Sequence, residues 1–193
     1  MLRIGVLSLQ GSYVEHLKCL SGIPGITSCE VKTQKQLNEV SGIIIPGGES
    51  TTIGKLLVDY NLKEPIIDAA KCGMPVWGTC AGMILMAGEV IGEEYTHLGI
   101  MDIAVKRNAY GSQLESFNTV MNVNEVSDNP IPLVFIRAPQ VQKVWGEAHV
   151  MASMEGKAVA VRQKNLLATS FHPELTDDLS FHKYFVDMAK KKC

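Results

Sequence analysis

The sequence predicts an α/β fold of three layers, a mixed and mainly parallel sheet flanked by helices. Strand and helix signals alternate through the first half, as βαβ units do. The strand signals there, residues 4–9 and 42–45, are near-continuous apolar runs, the pattern of strands covered on both faces. Several runs of the second half instead alternate apolar and polar, like antiparallel strands with one wet face.

The elements follow in order. Residues 4–9 form a first strand, and Gly11 opens a helix carrying Val14 and Leu17. Strand 42–45 ends at Pro46-Gly47-Gly48, and Ser50 or Thr51 can cap the next helix, which carries Ile53, Leu56 and Leu57. A further helix precedes Cys72-Gly73, where glycine suits a C-cap. The extended Pro75-Val76-Trp77 runs into Gly78-Thr79-Cys80-Ala81-Gly82, and a helix continues through Met83-Ile84-Leu85-Met86-Ala87. Residues 99–106, 117–123, 133–136, 143–150, 158–163 and 166–171 read as strands. The chain closes on a helix whose Phe181, Tyr184, Phe185 and Met188 repeat at three- and four-residue steps, a core-facing stripe. No linker, repeat or low-complexity tract divides it, so residues 1–193 read as one domain.

Composition removes several function classes. A hydrophobic content of 46% and a charged content of 20% describe an ordinary soluble protein. The net charge of −2 gives no reason to expect nucleic acid or an anionic membrane as partner. No apolar run approaches the roughly 20 residues that span a bilayer, and the N-terminus reads as a strand rather than a signal peptide. Five cysteines (Cys19, Cys29, Cys72, Cys80, Cys193), odd in number and without a Cys-x-x-Cys pair, speak against a disulfide framework or a zinc site. A reducing cytoplasm fits, and no metal or cofactor is expected. Lys190-Lys191-Lys192 before Cys193 reads as the solvated end of the last helix, since the residues that follow a prenylated cysteine are missing.

The chemistry concentrates at Cys80. Gly-x-Cys-x-Gly between a strand and a helix is the logic of the nucleophile elbow, with sulfur in place of oxygen. A helix N-terminus there favours an anionic sulfur. A lone cysteine among apolar residues is otherwise a small core residue, so the reading depends on a base. His172 supplies one, in Ser170-Phe171-His172-Pro173-Glu174 just past a strand. In an extended segment positions i and i+2 share a side, so Glu174 can orient the imidazole, completing a Cys, His, Glu triad. By itself His-Pro-Glu could be a turn with a chance ion pair. His16, His97, His149 and His182 read as surface or satisfied histidines.

Pro46-Gly47-Gly48-Glu49-Ser50-Thr51-Thr52 follows a buried strand, and its glycines allow backbone N–H groups to face a ligand. A phosphate loop is the rival, but Gly-Lys-Ser/Thr is absent and Glu49 would repel phosphate. An oxyanion hole built from the Gly48 and Ala81 N–H groups suits these residues better.

Together these motifs resemble the class I (triad) glutamine amidotransferases, whose fold is flavodoxin-like. With Gly5-Val6-Leu7-Ser8-Leu9-Gln10-Gly11, Arg107-Asn108-Ala109-Tyr110-Gly111 and Phe135-Ile136-Arg137-Ala138-Pro139, the chain is similar to the glutaminase subunits of pyridoxal 5′-phosphate synthases over nearly its whole length. The resemblance implies hydrolysis of L-glutamine to glutamate and ammonia, with ammonia channelled to a (β/α)8-barrel synthase partner that makes pyridoxal 5′-phosphate (vitamin B6). It implies that Gly48, Glu49, Ser50, Arg107, Ile136 and Arg137 contact glutamine, and that Gln10 lies on the face meeting the synthase. Arg107 read alone is also compatible with a solvated loop residue, and Arg137 with a role in loop and partner positioning. Ser12, where Ala is expected, and Tyr110, where Phe is common, depart from the pattern and are expected to lie away from the triad. The glutaminase of another amidotransferase, a non-catalytic protein on the same fold and a cysteine hydrolase are the competing readings.

Overall fold

The computed structural model describes residues 1–107 and 116–191, so Asn108, Ala109, Tyr110, Gly111, Lys192 and Cys193 lie outside the described residues. The first half runs β1 (Leu2–Leu7), α1 (Tyr13–Ser21), β2 (Ile26–Val31), α2 (Gln34–Leu37), β3 (Gly42–Ile45), α3 (Ser50–Asp59), α4 (Lys63–Lys71), β4 (Val76–Thr79) and α5 (Ala81–Met86). The second runs β5 (Ala87–Val90), β6 (Met101–Lys106), β7 (Ser116–Met121), β8 (Ile131–Ile136), β9 (Gln140–Val144), β10 (His149–Met154), β11 (Lys157–Gln163), β12 (Leu166–Thr169), a 3-10 turn (Pro173–Leu175) and α6 (Ser180–Lys190).

The main sheet has the order β10-β11-β12-β4-β3-β1-β2. From β12 to β2 every pairing is parallel; β11 and β10 extend the sheet antiparallel. Period-two alternation divides the parallel strands between two cores. Ile43 and Ile45 of β3 face one way, with Ile53, Leu57 and Ile66 of α3 and α4; Ile44 faces the other, with Trp77, Phe181 and Phe185. Helices therefore cover both faces, which is why these strands read as unbroken apolar runs, and the three-layer α/β fold is as predicted. Among the described residues no helix is long and apolar enough to cross a membrane.

Several predicted elements differ. The strand predicted over 143–150 is two strands in different sheets, β9 and β10, separated by a turn closed by the Ala148 N–H donating to the Trp145 carbonyl at 3.1 Å. Gly146 there has φ +58°, a left-handed turn conformation. The helix after Cys80 stops at Met86, because Ala87 is extended (ψ 139°) and starts β5. Edge strand β2, Ile-Thr-Ser-Cys-Glu-Val, carries too many polar residues to announce itself. The second-half strands also do not all join one sheet. β5, β6 and β9 form a three-stranded sheet and β7 with β8 a hairpin.

Candidate active site

Parallel pairing brings the carboxyl ends of β1, β3, β4 and β12 together; Thr79 stands opposite Thr169, and Ile45 opposite Gly78. Ligands bind beyond such strand ends in open α/β sheets. Cys80 follows β4 with φ 48° and ψ −103°, a strained conformation for a residue with a side chain. Its N–H donates to the Thr169 carbonyl at 2.8 Å, which pins the bend to β12. Directly behind it, a Cβ on Gly82 would collide with the Ile45 carbonyl, so the second glycine of the motif lets α5 lie against β3. The Cys80 Sγ lies 3.8 Å from the Ile136 carbonyl oxygen.

His172 is held through its backbone, its N–H donating to the Val134 carbonyl at 2.8 Å. Its Nδ1 lies 2.8 Å from Glu174 Oε1. The pair forms for a different reason than the extended i, i+2 geometry expected from sequence. Pro173 opens a 3-10 turn over Pro173–Leu175, and the turn brings the carboxylate back beneath the ring. Gly47 lets the imidazole and the thiol approach: a Cβ there would lie 2.5 Å from His172 Cε1 and 3.4 Å from Cys80 Cβ. Burial lowers the pKa of His172, but the Cys80 sulfur and the Glu174 carboxylate outweigh it and hold the ring well above the usual imidazole range. Burial likewise raises that of Glu174, and the neighbouring His16, His172 and Ser12 overcome it and keep the carboxyl charged.

A cavity of about 330 Å³ opens in front of the sulfur, and Gly48, Glu49, Ser50, Ala81, Arg107, Ile136, Arg137 and His172 line it with Cys80. Its size suits a small metabolite. The structure thus brings together every predicted site residue except Glu174, which lies behind His172, and Gln10. The Gln10 Oε1 accepts from the Glu49 N–H at 2.9 Å, beside the loop rather than in the cavity. Glu49, and not Ser50 or Thr51, caps α3: its carboxylate accepts from the Thr51 and Thr52 N–H groups at 3.2 and 2.7 Å. Arg107 reaches over this loop, donating to Glu49 Oε1 at 3.1 Å, Thr51 Oγ1 at 3.1 Å and Glu93 Oε1 at 2.8 Å. It is therefore anchored and not a freely solvated loop residue. Arg137 has φ 44°, so the chain turns sharply at the cavity wall. A larger cavity of about 540 Å³, near Asn165 at the opposite end of β12, includes neither Cys80 nor any histidine in its lining.

Four residues beside the triad escaped the sequence reading. Ser12 Oγ donates to Glu174 Oε1 at 2.6 Å, so this departure from the family pattern touches the triad after all. His16 and His182, read as ordinary histidines, are fully buried and 3.0 Å apart (Nδ1 to Nε2). Thr79 Oγ1 lies 3.1 Å from His16 Nε2 and accepts from the Gly47 N–H at 3.0 Å. The four lie before α1, in α1, in α6 and at the end of β4, so nothing local in the sequence marks them as a group.

Comparison with known proteins agrees with this geometry. The model of the SNO glutamine amidotransferase family matches residues 6–191. A pyridoxal 5′-phosphate synthase subunit PdxT from Thermoanaerobacter sp. (strain X514) is 54% identical over 185 residues, covering 96% of this chain and 98% of the relative. One from Ruminiclostridium cellulolyticum is 53% identical, covering 97% of this chain and all of the relative. A crystal structure described as a glutamine amidotransferase superposes with a TM-score of 0.91 at 40% identity, covering 97% of this chain and 98% of its own. The PurLQS structure from Thermotoga maritima, at TM-score 0.69 and 16% identity over 96% and 98% of the two chains, shares the fold.

Proposed function

Because the chain belongs to the SNO glutamine amidotransferase family, we propose that it hydrolyses L-glutamine to L-glutamate and ammonia through a thioester on Cys80. The observation that carries this reading is the His172–Glu174 pair, 2.8 Å apart, with the ring held against the Cys80 side of Gly47.

The mechanism follows from the residues. Cys80 sulfur attacks the side-chain amide carbon, and the Gly48 and Ala81 N–H groups receive the developing oxyanion. His172, with Nδ1 committed to Glu174, uses Nε2 to give a proton to departing ammonia. The same nitrogen then takes a proton from the water that opens the thioester, releasing glutamate and the free thiol. Glu174 never leaves the imidazole and fixes its tautomer. Glu49, Ser50, Arg107, Ile136 and Arg137 form the substrate wall, and the Arg107 guanidinium is suited to the α-carboxylate.

The relatives named as synthase subunits support a second part of the reading. Residues 1–193 act as a single glutaminase domain that delivers ammonia to a (β/α)8-barrel synthase making pyridoxal 5′-phosphate in the cytoplasm, with Gln10 on the shared face. Neither nucleic acid nor a membrane has a part. A glutaminase feeding another synthase is the alternative.

Reconstitution tests both parts. Mixed with a pyridoxal 5′-phosphate synthase subunit, the protein is expected to support glutamine-dependent cofactor formation. Cys80→Ala should fold, release no glutamate and leave only ammonia-dependent synthesis. Glutamate release without cofactor formation would favour the alternative partner, and undiminished turnover of Cys80→Ala would remove the nucleophile.

A further inference from the structure

The catalytic carboxylate has two oxygens, and His172 occupies only one. Glu174 Oε1 takes His172 Nδ1 at 2.8 Å and the Ser12 hydroxyl at 2.6 Å. Its Oε2 is buried and accepts no hydrogen bond among the described residues; His16 Nε2 lies 3.4 Å away, an electrostatic contact. Ser12 and His16 are four residues apart at the start of α1, and the His16 N–H donates to the Ser12 carbonyl at 3.3 Å. Positions i and i+4 share a helix face. One turn therefore presents one polar group to each oxygen of the same carboxylate.

The proton positions follow from hydrogen-bond accounting. Burial keeps His16 and His182 neutral, each with a single N–H. They meet His16 Nδ1 to His182 Nε2 at 3.0 Å, so one donates and one accepts. His182 Nδ1 is buried without a partner among the described residues. If that nitrogen carried the proton, a buried donor would be orphaned and bare His16 Nε2 would face the carboxylate. With the proton on His182 Nε2 instead, His16 Nδ1 accepts, and His16 Nε2–H points toward Glu174 Oε2 and Thr79 Oγ1. The second arrangement leaves an unused lone pair at His182 and takes away the Thr79 hydroxyl's acceptor. But it sets an N–H rather than a lone pair against the charged, buried Glu174 carboxylate, and that electrostatic gain decides between the two.

We propose that Ser12 and His16 are positioning residues for the Glu174 carboxylate, one to each oxygen, and that His182 fixes His16 in the tautomer that carries its proton on Nε2. They act through Glu174 on the orientation of His172 and touch no substrate. The kinetic part rests on the glutaminase reading; the spectroscopic part does not.

Nitrogen-15 NMR of the imidazole rings in the intact protein at neutral pH is expected to report His16 protonated at Nε2 and bare at Nδ1. The reverse pattern would overturn the tautomer. Ser12→Ala removes one hydroxyl and little volume. Assayed with the synthase subunit, it should lower kcat about 3- to 10-fold with KM unchanged, a fraction of the roughly 10- to 150-fold scale of one hydrogen bond to a charged group, because the loss acts on His172 only through Glu174. It should also shift the downfield His172 Nδ1–H proton resonance, and Ser12→Thr should recover most of the loss. Unchanged kcat and an unmoved His172 resonance in Ser12→Ala would overturn the positioning role. If the wild-type protein released no glutamate even with the synthase, the glutaminase reading would fall, and the two NMR measurements would still decide the hydrogen-bond assignment.

Discussion

The two walls of the cavity are built by different physics. On one side, Cys80, His172 and Glu174 stand at the end of the parallel sheet and are backed by buried His16 and Thr79 and part-buried Ser12. On the other, Glu49, Arg107 and Glu93 form an ion-pair chain in which Glu49 is half exposed. Buried polar groups are fixed because an unmet partner is costly, whereas exposed ion pairs contribute little to stability and tolerate rearrangement. The first wall is suited to chemistry that needs sub-ångström placement, and the second to a substrate that must enter and leave. Changes behind the sulfur should therefore act on kcat, and changes at the rim on KM.

After loss of the nucleophile itself, the largest effect should come from Gly47→Ala. A Cβ at this position would lie 2.5 Å from His172 Cε1 and 3.0 Å from Nδ1, so the imidazole must move away from Cys80. A displacement of about 1 Å in a catalytic group costs on the order of a hundredfold in rate. Glutamine hydrolysis by the variant is expected to fall by about that factor while circular dichroism remains native. A kcat within twofold of wild type would mean that this wall yields as readily as the rim.

Much of this contrast was legible in the sequence, and the parts that were not share a cause. Gly78, Cys80 and Gly82 announce a bend at one short stretch, and His172-Pro173-Glu174 is equally local. The apolar runs 42–45 and 76–79 announce buried parallel strands, because both faces of each must be covered. Ser12, His16 and His182 carry no local signal. Their meaning lies in contacts to Glu174 and to each other across 158 to 166 positions of sequence, which only the tertiary fold brings together. Glu93 was missed for the same reason, since it acts by holding Arg107. The break between β9 and β10 was hidden because Lys143 to Val150 keeps a strand-like composition through the turn at Gly146.

An intermediate effect is expected at the rim. Arg107→Ala removes the guanidinium that bridges Glu49, Thr51 and Glu93 beside the cavity. Loss of such a charged contact should raise KM for glutamine about tenfold, with kcat within about threefold, since the sulfur and imidazole keep their own supports. The KM of the wild type should also rise with added salt, because these charges are partly screened. A loss confined to kcat would place Arg107 with the catalytic wall and dissolve the distinction.

The smallest effect is on the pH dependence of stability, and it separates two histidines of the buried wall. Folding raises the pKa of His172 from 6.5 to about 10, against its burial, through the Cys80 sulfur and the Glu174 carboxylate. The native state then binds a proton that the unfolded chain has released. This contribution is complete below pH 6.5 and is lost as pH rises toward 10. His182 does the opposite: burial lowers its pKa from 6.5 to about 3, so the unfolded chain takes the proton first, and stability falls as pH drops from 6.5 toward 3. Glu174, held charged down to about 2, steepens the same acid limb below its ordinary 4.5. The thermal midpoint should accordingly peak near pH 6 to 7, where neither histidine opposes folding. In His172→Gln the alkaline fall should flatten while the acid fall persists, because His182 and Glu174 remain. Arg107→Ala should leave both limbs nearly unchanged, as partly exposed ion pairs add little at any pH. If Arg107→Ala altered the limbs as much as His172→Gln did, the rim would be coupled to folding as tightly as the triad, and the two walls would be one unit.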